Sequence, residues 1–285
     1  MTNAAMTNVR GLIRTAGLER SHSRGRRCHD NRKKVTHLDK SEIIKIADRN
    51  FIGCDQLIFI NKSNDYDAEL DFYNSDGGNS TTCGNGTRCI AYFISKEKNK
   101  EEIIFKTQSG VLKSKILGNN IVETNIGTPK FGWKEIPLSK EIDNTNLGIT
   151  IFDQDGISLT GGYALSVGNP HLIFFVNKVE NYDLPKIGPD LEKHSMFPEK
   201  CNVTLAEIES KKLIKVKVWE RGVGITKACG TAACATAVAG YKKKLTQNIV
   251  DIQFELGAIT ISIDKNNSVN MKGKVSEIKE IDIKI

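Results

Sequence analysis

An α+β fold built from two similar halves is what this sequence predicts, and three observations carry the prediction. Most of the apolar patterning has the length and period of strands, with few stretches suited to helices. The pair Cys-Gly opens an expected helix twice, at Cys83 and at Cys229, each time after a run of strands. Between them, residues 127–133 (Gly-Thr-Pro-Lys-Phe-Gly-Trp) concentrate turn formers and mark the internal boundary. The expected organisation is a basic N-terminal segment over 1–35, a half-domain over 36–127 completed by 274–285, and a second half-domain over 128–273.

Taken in order, residues 1–34 show no sustained apolar period and predict no regular element. Ser41-Glu-Ile-Ile-Lys-Ile-Ala suits a short helix, with the serine as N-cap. Residues 56–61 and 68–74 are strand-like around a polar turn at 62–67. A helix over about 84–95 follows, then strands at 103–108, 111–117 and 120–125. The second half repeats this plan: strands near 148–152, 157–165, 171–176 and 213–219, then a small-residue helix over 230–242. Strands at 249–254, 258–263, 269–273 and 278–285 complete the chain. Strand, loop, Cys-Gly and helix recurring in one order suggest a duplicated α+β unit.

Composition narrows the function. The chain has 285 residues and a net charge of +7. Residues 1–34 alone hold nine Lys or Arg against Glu19 and Asp30, so the remainder is neutral and a nucleic-acid surface is not expected. Apolar runs such as 172–176 fall far short of the ~18 residues of a membrane helix, and no apolar block follows the early arginines as in a secretory signal. Seven cysteines (28, 54, 83, 89, 201, 229 and 234) are an odd number at modest density, which points to a reducing compartment rather than a disulfide scaffold. Their spacings lack zinc-type pairs, so no metal is expected.

A thiol placed just before a helix faces exposed N–H groups and the positive end of the dipole, which favours a thiolate. Gly84 and Gly230 allow a ligand to approach the backbone, and the same N–H groups suit a carboxylate. Two such units facing each other place a thiolate and a thiol on opposite sides of one carbon. That geometry predicts two-base racemisation or epimerisation, one group removing a proton and the other returning it. For the other cysteines the expected role is that of a small buried hydrophobe. Trp219-Glu-Arg-Gly-Val-Gly ends an apolar strand in a charged pair, and Arg221 there could clamp a carboxylate or lie in a surface ion pair. Val167-Gly-Asn-Pro-His puts Asn169 and His171 in a turn, where the histidine is either a structural group or a catalyst. Asn74 and Asn202, in isolation, are turn residues first.

Together Cys83-Gly-Asn-Gly-Thr-Arg-Cys, Val167-Gly-Asn-Pro-His and Glu220-Arg-Gly-Val-Gly-Ile-Thr-Lys-Ala-Cys-Gly-Thr-Ala-Ala-Cys-Ala resemble the diaminopimelate epimerase family. Asp48-Arg-Asn-Phe-Ile-Gly-Cys-Asp-Gln and Asn74-Ser-Asp-Gly fit the same pattern, and the resemblance runs from about residue 36 onward. It implies two pseudo-symmetric halves, each a strongly curved, mostly antiparallel sheet around a central helix. It further implies a cofactor-independent, cytoplasmic homodimer that interconverts LL- and meso-diaminopimelate in lysine and peptidoglycan synthesis. By position, the resemblance makes Cys83 and Cys229 the acid/base pair, with the reacting carboxylate on Gly84, Asn85, Gly230 and Thr231. Asn74, Asn169, Asn202, Glu220 and Arg221 would read the distal amino-acid end, Gln56 would line the site, and His171 and Glu220 would lie near the thiols. A proline-racemase-like two-thiol isomerase is the second expectation, and an inactive ligand-binding paralogue the third.

The N-terminus departs from the family. Its members carry a strand, then Gly-Asn-Asp-Phe and a second apolar strand, where this chain has Gly17-Leu-Glu-Arg-Ser-His-Ser-Arg-Gly-Arg-Arg-Cys. With suitable synonymous codons, reading residues 19–28 one base later gives Asn-Asp-Leu-Ile-Leu-Val-Val-Val-Asp, which follows the missing segment. A local frameshift near 18–28 is therefore expected. The alternative is an Arg-rich, acid-poor transit peptide of a plastid enzyme. As written, the segment predicts a solvated arm that leaves a sheet edge uncovered.

Overall fold

The computed structural model describes residues 12–14, 38–54, 56–80, 83–152 and 158–275. In chain order the elements are β1 (Leu12–Arg14), α1 (Lys40–Ala47), β2 (Gln56–Asn61), β3 (Ala68–Asn74), β4 (Asn79–Ser80), α2 (Gly84–Lys98), β5 (Glu102–Thr107), β6 (Gly110–Ile116) and β7 (Ile121–Gly127). Then come β8 (Ile149–Phe152), β9 (Ser158–Gly161), β10 (Tyr163–Ser166), β11 (Pro170–Val176), α3 (Leu184–Glu192), β12 (Asn202–Ser210) and β13 (Leu213–Glu220). The chain continues with β14 (Gly224–Thr226), α4 (Gly230–Lys242), β15 (Ile249–Phe254), β16 (Gly257–Ile263) and β17 (Val269–Lys274). The mixture is α+β, and most strand pairs are antiparallel.

Two compact units divide the described residues. One holds those of 8–82 and 104–111, the other those of 83–103 and 112–278. This boundary differs from the one expected at residue 127. The reason lies in pairing: β7 is hydrogen-bonded along its length to β17, from Ile121↔Lys274 to Gly127↔Val269, so it joins the later strands.

In the first unit, β2 and β3 are antiparallel neighbours, with Gln56 opposite Asn74. β1 pairs in parallel with β2, from Leu12↔Ile58 to Arg14↔Ile60. A short strand thus exists where the patterning predicts none, and this edge of β2 is not bare at those residues. The expected arm at 15–35 and the expected strand at 278–285 lie outside the described residues. Asp39, not Ser41, caps α1. Its Oδ1 accepts the N–H groups of Ser41 (2.7 Å) and Glu42 (2.9 Å), while Glu42 Oε2 accepts that of Asp39 (2.9 Å). This reciprocal capping box satisfies more donors than a serine at position 41 would. Ile43, Ile46 and Ala47 of α1 then pack with Leu38, Leu57 and Phe59.

In the second unit the strands run β6-β7-β17-β16-β15-β13-β12-β11-β10, with β14 on β13. Two of these pairs are parallel, β11 with β12 and β13 with β15. α4 is buried on every side from Gly230 to Gly240, and its Ala, Gly, Thr and Cys side chains let strands close in around it. A helix apolar all round belongs inside a core, and α4 shares one with Leu165, Ile173, Val216, Val218, Ile252 and Ile261. A separate cluster holds α3 through Leu184, Ile187 and Leu191 against Leu172, Phe174 and Val203. The single strand expected over 157–165 is two, because Gly161 and Gly162 take φ of 113° and 98° and break it.

Candidate active site

Cys83 and Cys229 occupy equivalent places. Each is the N-cap of its helix in extended conformation, with φ, ψ of −144°, 93° at Cys83 and −140°, 114° at Cys229. Their sulfurs are treated differently. Cys83 Sγ accepts the Gly86 N–H at 3.3 Å, whereas Cys229 Sγ lies 3.5 Å from Thr231 Oγ1.

The two helix starts abut. A Cβ built on Gly84 would lie 3.7 Å from Gly230 Cα, and one on Gly230 would lie 3.4 Å from Asn85 Oδ1. Both would also press on the buried thioether of Met271 in β17, which comes within 3.1 Å of the Gly230 position. Glycine at both places is what lets two sets of exposed helix N–H groups converge on one spot. Asn85, Cys229 and Gly230 line a small recess there, with Phe254 and residues 257–259 across from them.

Burial dominates the electrostatics. Desolvation pushes the Cys83 thiol up to about 12, against the Gly86 N–H bond and the charge of Arg88, while Cys89 and Glu220 push it further up. Cys229 is raised well above its ordinary value, first by desolvation and then by the Glu220 charge, with Thr231 and the Ala232 N–H opposing. The expectation that helix N-termini leave a thiolate is therefore corrected. Burial outweighs the N–H groups that the helix starts offer, so ionising either thiol calls for added positive charge.

A second set of contacts holds the polar residues around α4. His171 Nε2 donates to Asn169 Oδ1 (2.9 Å), and Asn169 Nδ2 reaches Thr231 Oγ1 (3.4 Å). His171 is fully buried, and desolvation together with the Arg221 charge lowers its pKa to about 3, so it is neutral and orients Asn169. The parallel register of β11 and β12 sets His171 beside Asn202. Asn202 accepts the Arg221 N–H (3.0 Å) and donates to the Pro170 carbonyl (3.0 Å). Arg221 Nη1 donates to the Glu199 carbonyl at 3.0 Å, which fixes the side chain and leaves its other N–H groups.

Glu192, at the end of α3, has no sequence signal and is central here. Its Oε2 accepts Trp219 Nε1–H (2.7 Å) and its Oε1 accepts the Gly222 N–H (3.1 Å), so one buried carboxylate clamps both sides of Glu220 and Arg221. In the first unit, Gln56 Nε2 donates to Asn74 Oδ1 and Ser80 Oγ, both at 3.1 Å, so Gln56 and Asn74 come together. The structure thus gathers Cys83, Gly84, Asn85, Asn169, His171, Asn202, Glu220, Arg221, Cys229, Gly230 and Thr231 within one unit. Among the described residues no group of three or more His, Cys, Asp or Glu is arranged to hold a metal.

The fold defines a structural class, the α+β architecture shared with solved phenazine-biosynthesis and proline-racemase-like proteins. The Bacillus anthracis phenazine biosynthesis protein of the PhzF family superposes with a TM-score of 0.60 at 16% identity, over 87% of this chain and 90% of that one. A probable proline racemase from Agrobacterium radiobacter K84 gives 0.59 at 10% identity, over 88% and 87%. Within that class the chain belongs to the diaminopimelate epimerase family, whose sequence pattern matches residues 30–132 and 163–278. The diaminopimelate epimerase of Pelagibacter ubique (strain HTCC1062) is 59% identical over 256 residues, 90% of this chain and 93% of that protein.

Proposed function

We propose that this chain is an isomerase that interconverts LL- and meso-diaminopimelate without a cofactor, with Cys83 and Cys229 as its two proton carriers. The observation that carries the reading is the pair of thiol-capped helix starts in contact through Gly84 and Gly230, in a member of this family. The thiolate of one cysteine takes the Cα proton and becomes a thiol. The thiol of the other gives its proton to the opposite face and becomes a thiolate, so charge and protons balance. The carbanion's charge passes into the substrate carboxylate, which the N–H groups at Gly84, Asn85, Gly230 and Thr231 hold. The substrate's ammonium supplies part of the positive charge that the buried thiols need for one of them to ionise.

The distal amino-acid end is read by Arg221, Glu220, Asn169 and Asn202, while Gln56 and Asn74 keep the role that the family resemblance implies. A binding site of this kind rejects analogues that leave its polar groups unpaired, at ~1–3 kcal/mol each. The fold shared with a probable proline racemase supports a second reading, a racemase of small cyclic amino acids. Solvent-deuterium incorporation decides between them. LL-diaminopimelate should acquire deuterium at one α-carbon and proline none; exchange into proline alone overturns the proposal, and exchange into neither points to an inactive paralogue. A cytoplasmic homodimer accompanies the main reading, and light scattering at micromolar concentration tests the dimer.

A further inference from the structure

α2 carries an arginine that the described residues leave half-satisfied. Arg88 is 1% exposed. Its Nη2 donates to Asn85 Oδ1 at 3.1 Å, and its Nε and Nη1 have no partner. No carboxylate forms an ion pair with it among the described residues. The guanidinium lies flat on β17, where a Cβ at Gly273 would stand 3.3 Å from Nη2 and 3.4 Å from Cζ and Nε. It therefore sits beneath Asn85, next to the point where the two helix starts meet.

Burying an unpaired cation costs several kcal/mol, so its retention beside an anionic reaction calls for a compensating role. We propose that Arg88 is a positioning residue of the reaction, the fixed counter-charge that stabilises the Cys83 thiolate and, through Asn85, orients the carboxylate cradle. The inference rests on the epimerase reading for its second half; its first half rests on the place of Arg88 beneath Asn85, itself two residues along from Cys83, and on the charge it exerts there. Burial pulls the Arg88 guanidinium down from its ordinary value, but an arginine starts so far above neutrality that it keeps its charge in the working range.

The groups facing Cys83 and Arg88 sharpen the point. Cys89 lies on the same helix, Cys234 comes from α4, and Glu220 comes from the end of β13. The strands packed on α2 from below contribute uncharged Val122, Thr124, Met271 and Gly273. Among the charged groups named, Arg88 alone favours ionisation of Cys83, and it is not among the groups acting on Cys229. The two thiols are thus inequivalent before substrate arrives.

The test compares Arg88→Met, Arg88→Lys and the parent chain by the pH dependence of iodoacetamide alkylation, read separately at Cys83 and Cys229 by mass spectrometry. The pH dependence of kcat/KM for LL-diaminopimelate is measured alongside. Arg88→Met should move the Cys83 profile up by about one pH unit or more, shift Cys229 less, and lower kcat/KM near neutrality about tenfold or more. Arg88→Lys, which keeps the charge and loses the planar fork, should restore most of the Cys83 profile. A Cys83 profile unchanged in Arg88→Met, or moved equally by Arg88→Lys, overturns the proposal. Should Arg88→Met not fold, Arg88→Gln, which keeps polar N–H groups and loses the charge, takes its place with the same expected shift at Cys83. The alkylation profile needs no turnover, so it separates failure of this inference from failure of the epimerase reading.

Discussion

At the scale of single residues, each face of the stereocentre needs its own proton carrier. Cys83→Ala and Cys229→Ala should each reduce epimerisation to background while leaving the thermal midpoint within a few degrees, checked by deuterium exchange and calorimetry. Near-parental turnover in either variant sinks the two-base assignment. His171 gives a pH prediction with a definite sign. Its folded pKa of about 3 lies below the ordinary 6.5, so the unfolded chain takes up a proton that the folded chain refuses. The associated stability is present above about pH 6.5 and is lost as pH falls toward 3, by up to about 1.4 kcal/mol per pH unit. The thermal midpoint of the parent should drop over that window, and His171→Gln should flatten the slope. Glu192→Leu should release the Trp219–Gly222 turn and raise KM for diaminopimelate about tenfold or more, with a smaller change in kcat. A loss of melting temperature with KM intact would reduce Glu192 to a structural group.

Among the elements, the helices that bear the thiols were the most legible part of the sequence, because Cys-Gly announces a cap and a close approach together. What lies between them was less so. β12 was missed because its first five residues are all buried, which erases the alternation that marks a half-exposed strand. α3 was missed because Pro185, Gly188 and Pro189 weaken its helical signal, and only the folded chain shows why they are tolerated. A Cβ at Gly188 would lie 2.6 Å from the Trp219 ring, so glycine lets α3 settle on the indole that Glu192 holds. Arg88 and Glu192 carry no motif of their own: the first is hidden inside a longer motif, and the side-chain hydrogen bonds of the second reach 27 and 30 positions along the chain. The contact between the helix starts makes a further prediction. Gly230→Ala should overpack Met271 and Asn85, cost about 1–3 kcal/mol in denaturant unfolding and depress turnover, with Met271→Ala restoring part of both. If Met271→Ala restores neither, the thioether is not what forbids a side chain there.

For the whole molecule, the family pattern begins to match at residue 30, which leaves the unusual arginine-rich stretch outside it. The sequence from 17 to 28 places Glu19, Arg20, Arg24, Arg26 and Arg27 where the family resemblance leads one to expect an apolar strand. Charges of that kind cannot enter a core without a penalty of several kcal/mol each, a large fraction of a total stability of ~5–15 kcal/mol. Replacing residues 18–28 by Leu-Gly-Asn-Asp-Leu-Ile-Leu-Val-Val-Val-Asp should raise both the thermal midpoint and turnover. Unchanged values for both would show that the segment as written already does its work, and the coding DNA over residues 10–40 would test the frameshift directly.

The N-cap is the helix position where a small oxygen-bearing side chain contributes most, about 1 kcal/mol for Ser, Thr, Asp or Asn over alanine. Both thiol-bearing N-caps hold sulfur, a weak acceptor, and the nearest side-chain contact of Cys229 is Thr231 Oγ1 at 3.5 Å. A library of variants ranked by heat resistance alone would replace Cys83 and Cys229 with serine, growing hardier and more inert at the same two positions.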